Sequence, residues 1–476
     1  MLRQHSILHA WLRRYCGPVA LATAALLLVG NAAWADDKGN KGNEAGDDRA
    51  VRLLQVIPVP VSKDNNTAGG LYSYDISWVD QKSETYYLAD RSNKAVDILD
   101  AANPGTVTQL KATPAFAGVS PPAVSPGPNG VTTGGHCLFV TDFASGGRVV
   151  SFDTTSFPPT QVSSVSTGGS FRADELAFDP KDKLLLVINN ADTPPFGTFV
   201  KVTPASCVLT PPTSANKVPL DTAHGVDAEG GAEQPVWDGD TGLFYLSIPQ
   251  IGGLVSHGGV VSIPPNGTKY TVLGAGIDFC SPAGLALGPK GDLFVGCNAV
   301  FGTDGKVWVP NGTVTAAPND VIIDAKDGSI DTRVLGVGAG DEVTFNAGDG
   351  NYYATGSGSP FRPIDTAGIA DAKGSTPLGV VDAKDQKVLQ QLTTYNVPAT
   401  PAPIFGPTGH PAGTAHSVAA DDANSHVFVP LAANNAFSSF ASPPVPGAKA
   451  APDCETGCIA IFGHPDEDPG NPQKDD

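Results

Sequence analysis

The chain is short of basic residues: 29 lysines and arginines stand against 48 aspartates and glutamates, a formal charge of −19. A surface this acidic repels a phosphate backbone, so no nucleic-acid partner is expected. Long apolar runs are also scarce. PVALATAALLLVG (18–30) is about 13 residues against the roughly 20 that a spanning helix needs, and no run of spanning length follows it. A soluble product with no membrane insertion after the leader is expected. Helical periodicity is almost missing after residue 50, which argues against helix-built folds. No phosphate loop or dinucleotide fingerprint occurs, and GSGSP (356–360) lies in a β setting rather than at a strand-to-helix elbow, which leaves a serine hydrolase unsupported. The cysteines show no CxxC pair and no Cys/His spacing of a zinc site.

What is present begins with a targeting segment. Arg3, Arg13 and Arg14 precede the apolar run, and NAAWA ends in small residues at Ala33 and Ala35, the pattern of a signal peptide over 1–35 with export to the periplasm or exterior. A retained N-terminal anchor is the alternative. Residues 36–50 (DDKGNKGNEAGDDRA) read as a disordered linker, and 465–476 as a disordered acidic tail. Cys16 leaves with the leader. The even set that remains, Cys137, Cys207, Cys280, Cys297, Cys454 and Cys458, points to disulfides in an exported chain.

The chain holds 55 glycines and 42 prolines, and its body, 51–464, sets them between short β-type runs, the composition of many strands joined by tight turns. One unit recurs: a weak apolar stretch, an Asp/Gly/Lys turn, a stronger β run, then a third run. It appears as YDISWVDQKSETYYLAD (74–90), NGVTTGGHCLFVTD (129–142), DELAFDPKDKLLLVINN (174–190), EQPVWDGDTGLFYLS (233–247), AGLALGPKGDLFVG (283–296), DEVTFNAGDGNYYATG (341–356) and HSVAADDANSHVFVPLA (416–432). Such repetition predicts an all-β, seven-bladed β-propeller. A β-solenoid or a pair of sandwiches is the competing architecture. The last copy stops after CIAIFG (458–463), so the N-terminal segment RLLQVIPVP (52–60) is expected to join the last blade as its fourth strand.

That geometry places the start of each first strand and the end of each second strand on one face. Asp75, Asn129, Asp174, Glu233, Ser281, Asp341 and His416 fall there from strand starts. Asp90, Asp142, Asn189, Asn190, Ser247, Asn298 and Asn434 fall there from strand ends. Topology likewise predicts the disulfides 280–297, 137–207 and 454–458. Asp174, Glu175, Glu233, Asp341 and Glu342 would repel one another in a dry channel, so a cation, a proton or hydration must relieve them. Carboxylates with Asn amides suit a hard ion, calcium or magnesium, as cofactor. Capping of strand ends and turns is the plainer role for the same residues.

EQPVWDGDTGLFYLS followed by GGVVSIP, and PNGVTTGGHCLFVTDFASGGRVVSFD (128–153), resemble blades of the gluconolactonase/regucalcin family. The resemblance implies Glu233, Asn129 and Asp142 as ligands of a divalent metal, with Asp142 also the base that activates water on a lactone or related ester. Asp174 and Asp341 are further candidate metal ligands. This chain offers Ser281 and Ala283 where that family has another Asn, and seven repeats rather than six. TAHSVAADD (414–422) resembles a blade of streptogramin lyases, which implies a catalytic base at His416; His224 and His410 are nearby candidates. A secreted NHL-repeat or YVTN-type propeller, a non-enzymatic module binding a protein or carbohydrate partner, is the alternative.

Overall fold

In a computed structural model of the protein, the described residues are 50–65, 69–120, 124–265, 267, 270–307, 319–335, 337, 340–356, 378–394, 409–410, 415–432, 454 and 456–464. Residues 1–49, 357–377, 465–476 and Asn434, and with them the expected leader, linker and tail, lie outside them.

Each repeat folds as a hairpin, and in four of them an aspartate at the turn explains how. YDISWVDQKSETYYLAD forms strands Ser77–Asp80 and Thr85–Asp90. Between them Asp80 Oδ1 accepts from the backbone N–H groups of Lys82 (2.9 Å) and Ser83 (3.2 Å). A short carboxylate bonding its own backbone two residues on closes a turn without help from elsewhere. Asp179 does the same to Lys181 and Asp182, Asp238 to Asp240, and Asp421 to Ala423.

The hairpins extend into antiparallel meanders. One sheet runs Ser77–Asp80, Thr85–Asp90, Ala95–Asp100, Thr108–Leu110; the next runs Val131–Gly134, Cys137–Phe143, Gly147–Asp153, Thr160–Ser166. Leu176–Asp179, Leu184–Asn189, Phe196–Thr203 and Val208–Thr210 follow. Pro235–Asp238, Leu243–Ile248 and His257–Ile263 continue through one parallel bridge, His257 to Cys280, into Cys280–Leu287, Asp292–Val300, Asn319–Asp324 and Ile330–Leu335. Gly340–Asn346, Asn351–Gly356, Leu378–Asp382 and Lys387–Thr394 form a further sheet. In the last one, Ala419–Asp421, His426–Leu431 and Cys458–Gly463 are joined by Arg52–Pro58, antiparallel, with Arg52 opposite Gly463 and Pro58 opposite Cys458. Among the described residues the helices are three single 3-10 turns, and none is long and apolar enough to cross a membrane.

The first strands lie side by side about an axis. Ser77–Asp80 neighbours Val131–Gly134, then come Leu176–Asp179, Pro235–Asp238, Cys280–Leu287, Gly340–Asn346 and Ala419–Asp421, which returns to Ser77–Asp80. The core is divided accordingly into wedges between consecutive sheets. Tyr86 stacks on Phe428 at 4.8 Å between centroids, and Phe294 on Tyr352 at 4.7 Å. Full burial of each such ring contributes about 1.5–3 kcal/mol. Ile57 and Val59 of the N-terminal segment enter the wedge that holds Tyr86 and Phe428. Disulfides join Cys137 to Cys207, Cys280 to Cys297 and Cys454 to Cys458.

Candidate functional site

Where the first strands begin, polar side chains from several sheets meet. Asp75, just ahead of Ser77–Asp80, forms an ion pair with Arg91, which follows the end of the second strand of the same sheet. Its Oδ1 lies 2.9 Å from His416 Nε2, and Arg172 Nη1 stands 3.5 Å from the Oδ2 that Arg91 holds. Arg172 Nη2 also holds Asp174 Oδ2 at 2.8 Å. His416 Nε2 reaches Asp341 Oδ2 at 2.8 Å, and Asp341 Oδ1 accepts from Asn298 Nδ2 at 2.7 Å. Glu233 Oε2 takes a long bond, 3.5 Å, from Asn190 Nδ2. Of the expected residues, Asp75, Asp174, Asp341, His416 and Asn298 are thus brought into one network, with Glu233 at its side.

Asn129 and Asp142 are committed elsewhere. Asn129 Oδ1 accepts from Arg91 Nε (2.9 Å), and its amide donates to the carbonyls of Ala173 and Pro126. Asp142 Oδ2 is gripped by Arg148 through Nε (2.8 Å) and Nη2 (2.5 Å), while Oδ1 accepts from the backbone N–H of Ala117. A metal needs the same lone pairs that these guanidinium groups occupy. The lone pairs of Asn129 and Asp142 that a divalent ion would use are thus engaged by Arg91 and Arg148. Among the described residues, His136, Cys137 and Cys207 form the one His/Cys/Asp/Glu grouping tight enough to share an ion, and its two sulfurs are joined in a disulfide.

Several of the remaining polar residues support the backbone. Asn189 bonds Thr167, Thr198 and the Phe196 carbonyl. Asp90 accepts from Asn93 and faces Asp97, and burial pushes its carboxyl up to about 6. Ser247 is buried with no hydrogen-bond partner for its hydroxyl among the described residues, and Ser281 is half-buried in Cys280–Leu287. His224 caps a turn with Asp221 at 2.6 Å, and His410 sits in the short strand Gly409–His410.

The charge problem posed by the acidic ring is solved from within the chain. Burial alone would raise the Asp75 carboxyl, but Arg91, His416 and Arg172 overcome it and hold Asp75 well below its ordinary value. Burial opposes charge on His416 too, yet Asp341 and Asp75 keep the imidazolium well above its usual pKa. Deeper groups are relieved by protons instead. Burial, then Asp75, push Asp174 up to about 7. Burial, then Asp174 and Asp341, push Glu233 up to about 8. Glu342, whose Oε2 accepts from Ser417 Oγ while Oε1 has no hydrogen-bond partner among the described residues, is pushed up to about 8 by burial. Arg91 and Arg172 carry no repeat signature; their signal in the sequence is position alone, one residue past Asp90 and two before Asp174.

A pH dependence follows. A carboxyl raised on folding adds stability that is fully present below its unfolded pKa and declines until the pH passes its folded value. For Asp174, Glu233 and Glu342 the decline falls between about pH 4 and 8. Protonated His416 acts in the same direction above about pH 6.5. Tm is expected to drop by a few degrees from about pH 5 to pH 8.5, and Glu342→Gln should flatten that slope in differential scanning calorimetry.

No protein-family model matches the chain, and no curated protein matches it in sequence. Solved structures do. The β-propeller domain of Cps50 (Swd1) from Myceliophteria thermophila superposes with a TM-score of 0.50 at 10% identity, over 87% of this chain and 99% of that one. A hydrazine synthase chain from Kuenenia stuttgartiensis gives 0.49 at 13% identity, covering 77% and 95%. The Dos1 propeller gives 0.46 at 9%, covering 86% and 95%. With its meanders and its ring of first strands, the chain is a β-propeller. The likeness to Cps50 extends to the fold and no further.

Proposed function

We propose that the protein is an exported, seven-bladed propeller, closed by its N-terminal strand, that works by binding a partner rather than by catalysis. The neighbour-to-neighbour ring of first strands supports seven blades, and the antiparallel pairing of Arg52–Pro58 with Cys458–Gly463 supports closure. Three disulfides support a periplasmic or secreted location. One observation carries the choice against a metal-dependent lactonase: Asp75, Asp174 and Asp341 already have counter-charges in Arg91, Arg172 and His416, while burial keeps Glu233 and Glu342 protonated. A site that neutralises itself has little affinity left for calcium, and it offers no ordered hydroxide to a lactone.

Calorimetry with calcium and magnesium, beside metal analysis of the purified protein, tests this. Expected are no stoichiometric binding, no change in Tm on adding a chelator, and no turnover of simple lactones. Stoichiometric calcium binding that disappears in Glu233→Gln would restore the hydrolase reading.

A further inference from the structure

The axis has a second end. Beyond the ionic network the first strands line a cavity of about 510 Å³, within the roughly 300–1,000 Å³ of small-molecule sites. Four aromatic side chains contribute to its wall from four different sheets: Trp78, Phe178, Trp237 and Phe345. Their positions are fixed. Trp78 Nε1 donates to Thr133 Oγ1 at 2.9 Å, Trp237 packs on Phe244 at 4.7 Å, and Phe345 on Tyr352 at 5.2 Å. Phe178 lies over Gly134, where a β-carbon would stand 2.5 Å from its ring.

The charged groups lining the cavity are of one sign. Glu175 and Asp422 line it, and among its described lining residues there is no lysine, arginine or histidine. Glu175 is 6% exposed, and no hydrogen bond or ion pair to its carboxyl is present among the described residues. Ser77, also in the lining, bonds Ser417 at 2.6 Å, and Ser417 in turn holds Glu342, whose second oxygen is buried without a hydrogen-bond partner among the described residues. An aromatic wall with an unpaired carboxyl is the chemistry that receives an organic cation, attracted to the ring faces and the acid together.

We propose that this end of the axial cavity is a binding site for a small organic ammonium ion with an apolar or aromatic body, its charge directed to Glu175. The inference rests on the binding reading above and gives it a ligand class. Glu175 is buried among Glu342, Asp174, Glu233 and Asp341, with Arg91, Arg172 and His416 in the adjoining network, and burial followed by Glu342 raises its carboxyl well above the ordinary value. Cation entry favours the carboxylate, so the Glu175 proton leaves to solvent as the ligand arrives, and affinity climbs with pH.

The test uses three probes on the full chain: phenethylammonium, neutral 2-phenylethanol and anionic phenylacetate, titrated by calorimetry in two buffers of different ionisation enthalpy. The cation should bind at least about tenfold more tightly than the alcohol, with proton release, and bind more tightly at pH 8 than at pH 6. Glu175→Gln should remove the proton release and bring the cation down to the affinity of the alcohol. Trp237→Leu, which leaves the acid in place, should weaken cation and alcohol alike. Equal binding of cation and alcohol, preference for phenylacetate, or no binding of any probe would overturn the proposal. None of these results bears on calcium binding, so the non-catalytic reading fails or stands separately.

Discussion

Arg91→Ala is expected to lower stability by about 3–5 kcal/mol, the usual cost of removing one partner from a buried ion pair. Arg91 and Asp75 side chains are each 6% exposed, and the guanidinium also serves Asn129 and the Tyr74 carbonyl. Its loss leaves Asp75 facing Asp174 with Arg172 and His416 as the cations in reach. Asp75→Asn alone removes the opposite charge and leaves Arg91 beside Asp174, 4.0 Å away. The double variant should therefore lose less than the two single losses added together, a coupling that denaturant unfolding of all four proteins measures. Arg91→Lys keeps the charge but not the planar fork, so an intermediate loss is expected. A loss under about 1 kcal/mol for Arg91→Ala would mean that the network is hydrated and contributes as a surface pair does.

The second large effect concerns Cys137 and Cys207. Their disulfide ties the second strand of one sheet to the turn after the third strand of the next, with a sequence separation of 70 and both residues fully buried. In the chain-entropy description a loop of that length is worth about 4 kcal/mol, against about 3 for Cys280–Cys297 with its separation of 17. Replacing each pair by serine should give that order of loss in guanidinium unfolding. The ranking is a firmer test than either value. Equal losses would show that native-state contacts, rather than the unfolded chain, set the contribution.

The strands were legible because each hairpin carries its own turn chemistry. Asp80, Asp179, Asp238 and Asp421 close turns by local bonds that depend on nothing distant. Clustering at the strand starts followed from the same regularity, and Asp75, Asp174, Asp341 and His416 do meet. The partners of those residues were not legible. Whether Asp142 faces an ion or Arg148 depends on a side chain six residues on in the neighbouring strand, which the repeat pattern does not encode. The aromatic wall is illegible in the sequence for another reason. Trp78, Phe178, Trp237 and Phe345 stand at similar points in four repeats, where each reads singly as ordinary strand composition.

The strand Arg52–Pro58 has a consequence for how the molecule is made. Its partner, Cys458–Gly463, leaves the ribosome long after it. Until then the earlier segment waits with Ile57 and Val59 uncovered, and the strand His426–Leu431 must also wait for its neighbour. Pairing over so long a separation is slow and comes late, and an open edge during that interval invites association with other chains. Pro58 and Pro60, which carry no N–H to offer, make the waiting segment a poor template for them. A nascent chain stopped short of Cys458 should accordingly be a substrate for chaperones and proteases, whereas one reaching Gly463 escapes both.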